Sequence, residues 1–244
     1  SSYQPLVPTV SVGNISWGGT GKTPIVNWIL AWAASKNLQA VVLTRGYKAS
    51  PPCFPFLVQP HSNPKEAGDE PLMLACKNPA AKVVVDPKRS RAAEYAEKHL
   101  QPDLFVLDDG HQHLALGRDK NIVLLSAYDL TEGWGEVIPA GTWRESEKAL
   151  NTADVFLLRV DGASIEQAKD FKQLGPFAQA GQGMQPDQAR QPDQAHQPDQ
   201  ARQPDEAHQI AQAHQVAQAT EAENLLALAK AKLPAKPIFP FCFR

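Results

Sequence analysis

Over the first 160 residues, short apolar runs alternate with stretches of helical spacing. The runs at 9–12, 40–44, 82–85, 104–107, 121–125 and 155–159 have strand length and are rich in Val and Leu. The stretches at 24–34, 70–77 and 88–99 read as helices. In the first of these, Ile25, Trp28, Ile29 and Trp32 recur at helical spacing and predict its buried stripe. Continuous apolar strands that alternate with helices predict an α/β fold, a mainly parallel sheet with helices on both faces. Ligands of such sheets gather at the carboxyl ends of the strands.

The pattern then changes. Gln185, Gln191, Gln197, Gln203, Gln209 and Gln215 mark a six-residue repeat that opens as Gln-Pro-Asp-Gln-Ala-Arg/His. Bulky apolar residues are scarce in it, and its recurring prolines block a long helix, so a disordered low-complexity insertion is expected. Its His and Asp residues lack fixed ligand spacing, which favours a solvated linker over a metal tract. Beyond it, Leu225, Leu226 and Leu228 suggest a helix over 221–232, and 238–243 reads as a strand. The expected organisation is a core at 1–165, the repeat insertion at 166–220, and the start of a partial second lobe at 221–244.

The most specific local signal runs from Ser11 to Pro24: Ser-Val-Gly-Asn-Ile-Ser-Trp-Gly-Gly-Thr-Gly-Lys-Thr-Pro. Val7, Val10 and Val12 supply a strand before it, and a helix follows. Such a loop suits phosphate, because Gly18, Gly19, Thr20 and Gly21 let backbone N–H groups converge on anionic oxygens at a helix N-terminus. Lys22 is placed to neutralise β- and γ-phosphates, and the Thr23 hydroxyl to ligate Mg²⁺. The strict pattern has a glycine five residues before Gly21, where this chain has Ser16. Strand and helix context nonetheless favours a P-loop NTPase-like core over an incidental glycine turn.

Other candidates follow predicted strands. Asp108 and Asp109 end an apolar run, the position from which a P-loop enzyme holds Mg²⁺; Asp-Asp-Gly is also good turn chemistry. His111 and His113 are two residues apart and share no helix face, so they support loop orientation better than a zinc site. Asp69 precedes an apolar helix and reads equally as an N-cap or as a base for an acceptor hydroxyl. Arg45, Arg89, Arg91 and Arg144 at strand ends make an anionic acceptor plausible.

Composition narrows the class. The chain has 244 residues, 43% hydrophobic, with a formal net charge of −2, which argues against a dedicated nucleic-acid binder. Cys53, Cys76 and Cys242 lack metal-ligand spacing and fit a reducing compartment. No run approaches the ~18 apolar residues of a membrane span. The chain begins at Ser1 with no visible signal peptide, as a fragment or processed form would.

Five blocks together carry a resemblance. Gly13-Asn-Ile-Ser-Trp-Gly-Gly-Thr-Gly-Lys-Thr-Pro, Arg45-Gly-Tyr, Gly68-Asp-Glu-Pro, Asp108-Asp-Gly-His-Gln-His and Val137-Ile-Pro-Ala-Gly-Thr-Trp-Arg-Glu resemble the tetraacyldisaccharide 4′-kinases, the lipid A 4′-kinases. The resemblance covers about residues 5–160, and loosely 221–244, but not the repeat. It implies phosphate transfer from ATP to the 4′-hydroxyl of a tetraacyl-disaccharide 1-phosphate, a glycolipid. By motif it implies ATP–Mg²⁺ binding by Lys22 and Thr23, and a catalytic base at Asp69, which would still cap its helix. Asp108 and Asp109 would serve the metal and nucleotide site. Arg45, Tyr47, Arg89, Arg144 and Glu145 would line the donor or acceptor site.

The family's histidine partner for the catalytic aspartate finds no counterpart here; His208 and His214 lie in the repeat. Measured against the family, the chain is expected to lack an N-terminal membrane-associated segment and part of the C-terminal lobe. Peripheral membrane contact is implied for a full-length protein, at the cytoplasmic face of the inner membrane in a bacterium. The Trp17 loop variant and the Gly-Asp-Glu-Pro-Leu-Met-Leu run also look like organellar relatives from plants and algae, which would place the chain in a mitochondrion. Two other readings remain at this stage. One is a partitioning- or assembly-type P-loop switch ATPase, although Trp17 stands where that group has lysine. The other is a nucleotide-binding pseudoenzyme.

Overall fold

The computed structural model describes residues 2–19, 21–160 and 223–241. The hexapeptide repeat, expected to be disordered, lies outside the described residues, as do Thr20 and Cys242. Strands β1 (Thr9–Asn14), β2 (Ala40–Thr44), β3 (Phe56–Val58), β4 (Lys82–Val85), β5 (Leu104–Asp108), β6 (Lys120–Leu125), β7 (Val155–Arg159) and β8 (Ile238–Phe241) form one sheet. Its order is β3-β4-β2-β5-β1-β6-β7-β8, and only the β3–β4 pairing is antiparallel. The central strands are buried end to end because they are unbroken apolar runs such as Ala-Val-Val-Leu-Thr in β2.

Helices cover both faces. On one side α1 (Lys22–Ser35) and α3 (Asp69–Lys77) pack Val26, Leu30 and Leu74 against Val12, Val42, Val83 and Val106. On the other, Ala92, Ala93 and Ala96 of α4 (Arg89–His99) meet Val41, Leu43, Val84 and Phe105. The small alanines let α4 lie close on the sheet, where each buried methylene contributes about 0.8 kcal/mol. A third cluster joins β6 and β7 to Ile15, Leu130, Trp143 and Leu150.

The predicted stripe of α1 holds in part: Ile29 is buried, and Ile25 and Trp32 are partly buried against the core, but Trp28 is 42% exposed and Val26, Leu30 and Ala33 complete the buried face. The helix is apolar nearly all round, so spacing alone admits two faces, and the narrower side chains win the place against the sheet. Four short elements carry no sequence signal that predicted them: β3, α2 (Pro64–Ala67), α5 (Ala127–Leu130) and a 3₁₀ turn at Glu147–Thr152. β3 is a three-residue edge strand, too short to show a period.

The described part of the segment expected to open a second lobe lies against this same sheet. Residues 223–232 are helical, and Leu225 and Ala229 join the cluster around Trp143. β8 then pairs in parallel with β7, with Pro240 opposite Leu158. Proline is tolerated there because β8 is the outermost strand among the described residues, with no described strand on its far side. Among the described residues, no helix is long and apolar enough to cross a membrane.

Candidate active site

β1 lies between β5 and β6, so the loop that leaves Asn14 opens beside the carboxyl end of β5. Gly13 permits that closeness: a Cβ there would sit 2.6 Å from the Cβ and backbone nitrogen of His111. Gly18 and Gly21 take φ of 118° and 90°, left-handed values that turn the chain from strand to helix. The first half of the loop is laced to a neighbouring segment. Trp17 N–H donates to the Thr142 carbonyl at 2.8 Å, and Arg144 N–H to the Ile15 carbonyl at 2.8 Å. At the far side, Arg159 Nη1, at the end of β7, donates to the Gly19 carbonyl at 3.2 Å.

Lys22 opens α1 and turns its ammonium inward. Nζ donates to Asn14 Oδ1 at 2.8 Å and stands 3.4 Å from Asp109 Oδ1. Arg144 Nη1 reaches the same carboxylate, 3.0 Å from Oδ2, and also donates to Gln112 Oε1 at 3.2 Å. Gln112 Nε2 closes the ring by donating to the Asn14 carbonyl at 2.9 Å. Burial disfavours charge on Asp109, but Lys22 and Arg144 outweigh it and hold its pKa below the usual carboxylate range. The site thus holds two cations around Asp109 at the mouth of a glycine loop, an arrangement suited to polyphosphate.

Asp108 is different. It is buried at the end of β5 and accepts a hydrogen bond from Thr44 Oγ1 at 3.1 Å. Burial pushes its pKa up to about 6; the Thr44 bond opposes this, and the nearby charges of Asp109 and Glu70 add to it. The adjacent carboxylates therefore hold unlike environments: Asp109 is charge-compensated, whereas Asp108 gains most from a cation brought to it. His111 is buried, and its Nδ1 faces Asn121 Nδ2 at 3.2 Å. Burial, then the charge of Arg118, lower its pKa to about 4, so it is neutral. This buried role supports the expected loop orientation. Among the described residues, no group of three or more His, Cys, Asp or Glu could hold a metal ion. Magnesium commonly takes one or two carboxylates with substrate phosphates and water, so a pair of hard oxygens such as Thr23 and Asp108 fits it in chemical type.

The remaining candidates are spread around this centre. Arg45 and Tyr47 follow β2 and are exposed, and Arg89 is buried at the start of α4. Glu145 follows Arg144 and makes no ion pair among the described residues. Asp69 is exposed at the first turn of α3. The expectation that it caps that helix is corrected: the N-cap is Gly68, which takes φ 82°, ψ 149°, and there is no side-chain cap bond. Sequence reasoning missed Asn14, Thr44, Gln112 and Arg118. Arg118 donates Nη1 to the Gly110 carbonyl at 2.6 Å and Nη2 to the His113 carbonyl at 2.5 Å, shaping the turn that carries Asp109. Asn14 and Gln112 sit inside recognised motifs, but the motifs did not mark their partners; Thr44 and Arg118 had no local signal.

A glycine loop after a central parallel strand, a helix-initial lysine and strand-end carboxylates define a P-loop type of phosphate-binding protein. The family model described as tetraacyldisaccharide-1-P 4′-kinase matches residues 1–233. The chain belongs to that family, which displaces the switch-ATPase reading. It is 60% identical over 153 residues to the tetraacyldisaccharide 4′-kinase of Oleidesulfovibrio alaskensis, covering 63% of this chain and 43% of that protein. With the Nitratidesulfovibrio vulgaris protein of the same name it shares 54% identity over 158 residues, covering 65% and 45%. The crystal structure of an "apo" form of LpxK from Aquifex aeolicus in complex with ATP superposes with a TM-score of 0.57 at 36% identity. That match covers 65% of this chain and 50% of the other. The chain spans about half the length of the relatives it matches.

Proposed function

We propose that this chain is the nucleotide-binding and phosphate-transferring core of a tetraacyldisaccharide 4′-kinase of lipid A biosynthesis. ATP is the donor, and the 4′-hydroxyl of a tetraacyl-disaccharide 1-phosphate is the acceptor. The observation that carries the reading is the convergence of Lys22, Asp109 and Arg144 beside the glycine loop, on a chain of this family. The ATP named with the Aquifex protein supports a nucleotide here.

In this reading Gly18, Gly19, Thr20 and Gly21 cradle the phosphates, and Lys22 leaves Asp109 to neutralise them. Thr23 and Asp108 would hold Mg²⁺, which when bound offsets charge on the donor phosphates. Asp69 takes the proton of the acceptor hydroxyl as that oxygen bonds to the γ-phosphorus and the bond to the β,γ-bridging oxygen breaks, releasing ADP. Arg45, Tyr47, Arg89, Arg144 and Glu145 line the donor and acceptor positions. Positioning and charge neutralisation do most of the work in such a transfer. The full-length protein would meet the membrane peripherally, on the cytoplasmic side in a bacterium like those of the named relatives.

One observation favours a second reading, a nucleotide-binding pseudoenzyme: Asp69 has no hydrogen-bond or ion-pair partner to tune it among the described residues. The test is transfer of labelled γ-phosphate from ATP–Mg²⁺ to the tetraacyl-disaccharide 1-phosphate in detergent, beside Asp69→Ala. Labelled lipid that vanishes in the variant supports the kinase. Bound ATP with no labelled lipid supports the pseudoenzyme.

A further inference from the structure

Carbonyls along the glycine loop are held by donors that lie outside it. Gln112 Nε2 donates to the Asn14 carbonyl at 2.9 Å, Arg144 N–H to the Ile15 carbonyl at 2.8 Å, and Asn14 Nδ2 to the Ser16 carbonyl at 2.6 Å. An anion cradle needs this arrangement, because a carbonyl drawn outward keeps its negative end away from phosphate. In a planar trans peptide the N–H points opposite to the C=O, so the same bond turns the following amide inward.

The glycines further along have no packing to do this for them. A Cβ at Gly18 or Gly19 would meet nothing within 4 Å, and Gly18 takes φ of 118°. Glycine adopts either sign of φ with similar ease, so open space leaves the facing of these peptides undecided. The bond that decides it comes from another strand, 140 positions along the chain: Arg159 Nη1 donates to the Gly19 carbonyl at 3.2 Å. The backbone beneath Arg159 is itself fixed. Arg159 pairs with Phe241 of β8, and Val160 N–H donates to the Phe241 carbonyl at 2.9 Å. β6 separates β7 from β1, and neighbouring strands lie about 4.8 Å apart, so only a long side chain can reach back to the loop.

We propose that Arg159 is a positioning residue of the donor-phosphate loop. By holding the Gly19 carbonyl outward, it presets the amide that follows for the phosphates of the nucleotide. A loop set in advance loses less freedom on binding, which strengthens affinity without a new contact to the ligand. The role rests on the nucleotide-binding reading and acts through the loop, not on the reacting atoms.

The pair Gly-Thr occurs twice in the chain, at Gly19-Thr20 and Gly141-Thr142. The full chain, labelled with ¹³C at glycine carbonyls and ¹⁵N at threonine amides, therefore gives one NMR correlation from the loop and one internal reference; Thr142→Ser removes the reference and so assigns both. In the free chain, Arg159→Met should move the Gly19 carbonyl signal upfield, as loss of a hydrogen bond does, and leave Gly141 in place. Calorimetry should show Mg²⁺–ADP bound about threefold to tenfold more weakly. Mg²⁺–ADP should then move the Gly19 signal further in the variant than in the parent. Arg159→Lys, which keeps a charged donor on a long stem, should recover part of the signal position and of the affinity; if Arg159→Met fails to fold, Arg159→Lys carries the test with a smaller change of the same sign. An unmoved Gly19 signal, equal movement of both signals, or unchanged ADP affinity overturns the role. If the parent chain binds no Mg²⁺–ADP while Arg159→Met still moves the Gly19 signal, the nucleotide reading falls and takes the role with it, and the contact alone stands.

Discussion

Replacing Asp129 tests how the phosphate loop is braced from beneath. Asp129 is 1% exposed and accepts bonds from Ser126 N–H at 2.8 Å, Ser126 Oγ at 2.7 Å and Trp143 Nε1 at 3.1 Å. Trp143 is fully buried, stacks edge-on against Trp134, and lies between the two residues that lace Ile15 and Trp17. Asp129→Ala strands the indole N–H and the Ser126 N–H, at about 1–3 kcal/mol each. It also removes a capping box worth roughly 1 kcal/mol. The expected loss is about 3–5 kcal/mol of stability. Trp143→Phe removes one shared hydrogen bond and some ring volume, about 2–4 kcal/mol. The double variant should lose less than the sum by about 1.5–3 kcal/mol, because the bond between them is counted once. Denaturant unfolding followed by circular dichroism measures all three. ATP affinity should fall alongside, by about 0.5–2 kcal/mol, since the lacing positions the loop and Arg144. Costs that add to within ~0.5 kcal/mol would refute the shared network. A cost below about 1 kcal/mol for Asp129→Ala would refute the burial argument.

Three further outcomes are expected. Asp108 has a folded pKa of about 6, above its unfolded range, so the folded chain holds the extra proton and stability falls as pH rises from about 4 to 6. His111 has a folded pKa of about 4, below its unfolded range, so stability rises as pH climbs from about 4 to 6.5. Relative to the parent, Asp108→Asn should make stability climb more steeply between pH 4 and 6, and His111→Gln less steeply; unchanged denaturation midpoints at both pH values would contradict this. Gly13→Ala drives a Cβ to 2.6 Å from His111, and should cost about 1–3 kcal/mol in the same assay. Arg118→Lys keeps the charge but loses the fork that gathers the Gly110 and His113 carbonyls, so Mg²⁺–ADP affinity and melting temperature should both drop; retention of both would remove Arg118 from the site's support.

Much of this molecule was legible before folding was considered. The six strands predicted in the first 160 residues recur in the sheet with ends moved by at most two residues, because parallel buried strands must be continuous apolar runs. The faces of α1 were legible only in part: Ile29 is buried and Ile25 and Trp32 pack on the core as their spacing predicts, but the sequence is apolar on nearly every side, and packing against the sheet decided for Val26 and Leu30 over Trp28. Lys22, Asp109 and Arg144 were legible as motif members, and the structure brings them together. Asp129 and Gln112 were not. Gln112 meets a carbonyl 98 positions away, and Asp129 an indole of another loop, and neither encounter leaves a trace in local spacing. Asp69 shows the converse error: a good capping residue type, whose place Gly68 takes because the backbone turns left-handed one residue earlier.

The position of β1 has a consequence for how the molecule comes into being. It is made before every other described strand, yet both its neighbours come late, β5 at Leu104–Asp108 and β6 at Lys120–Leu125. The braces of the glycine loop, Thr142 and Arg144, come later still. At about 5–20 residues per second, a ribosome would make Lys22 roughly 6–24 s before Arg144. By contrast, β2, β3 and β4 are all complete by Val85 and pair among themselves. The earliest sheet open to the nascent chain therefore leaves out the strand that bears the glycine loop, and nucleotide can meet a formed cradle only after that strand has slid into the middle.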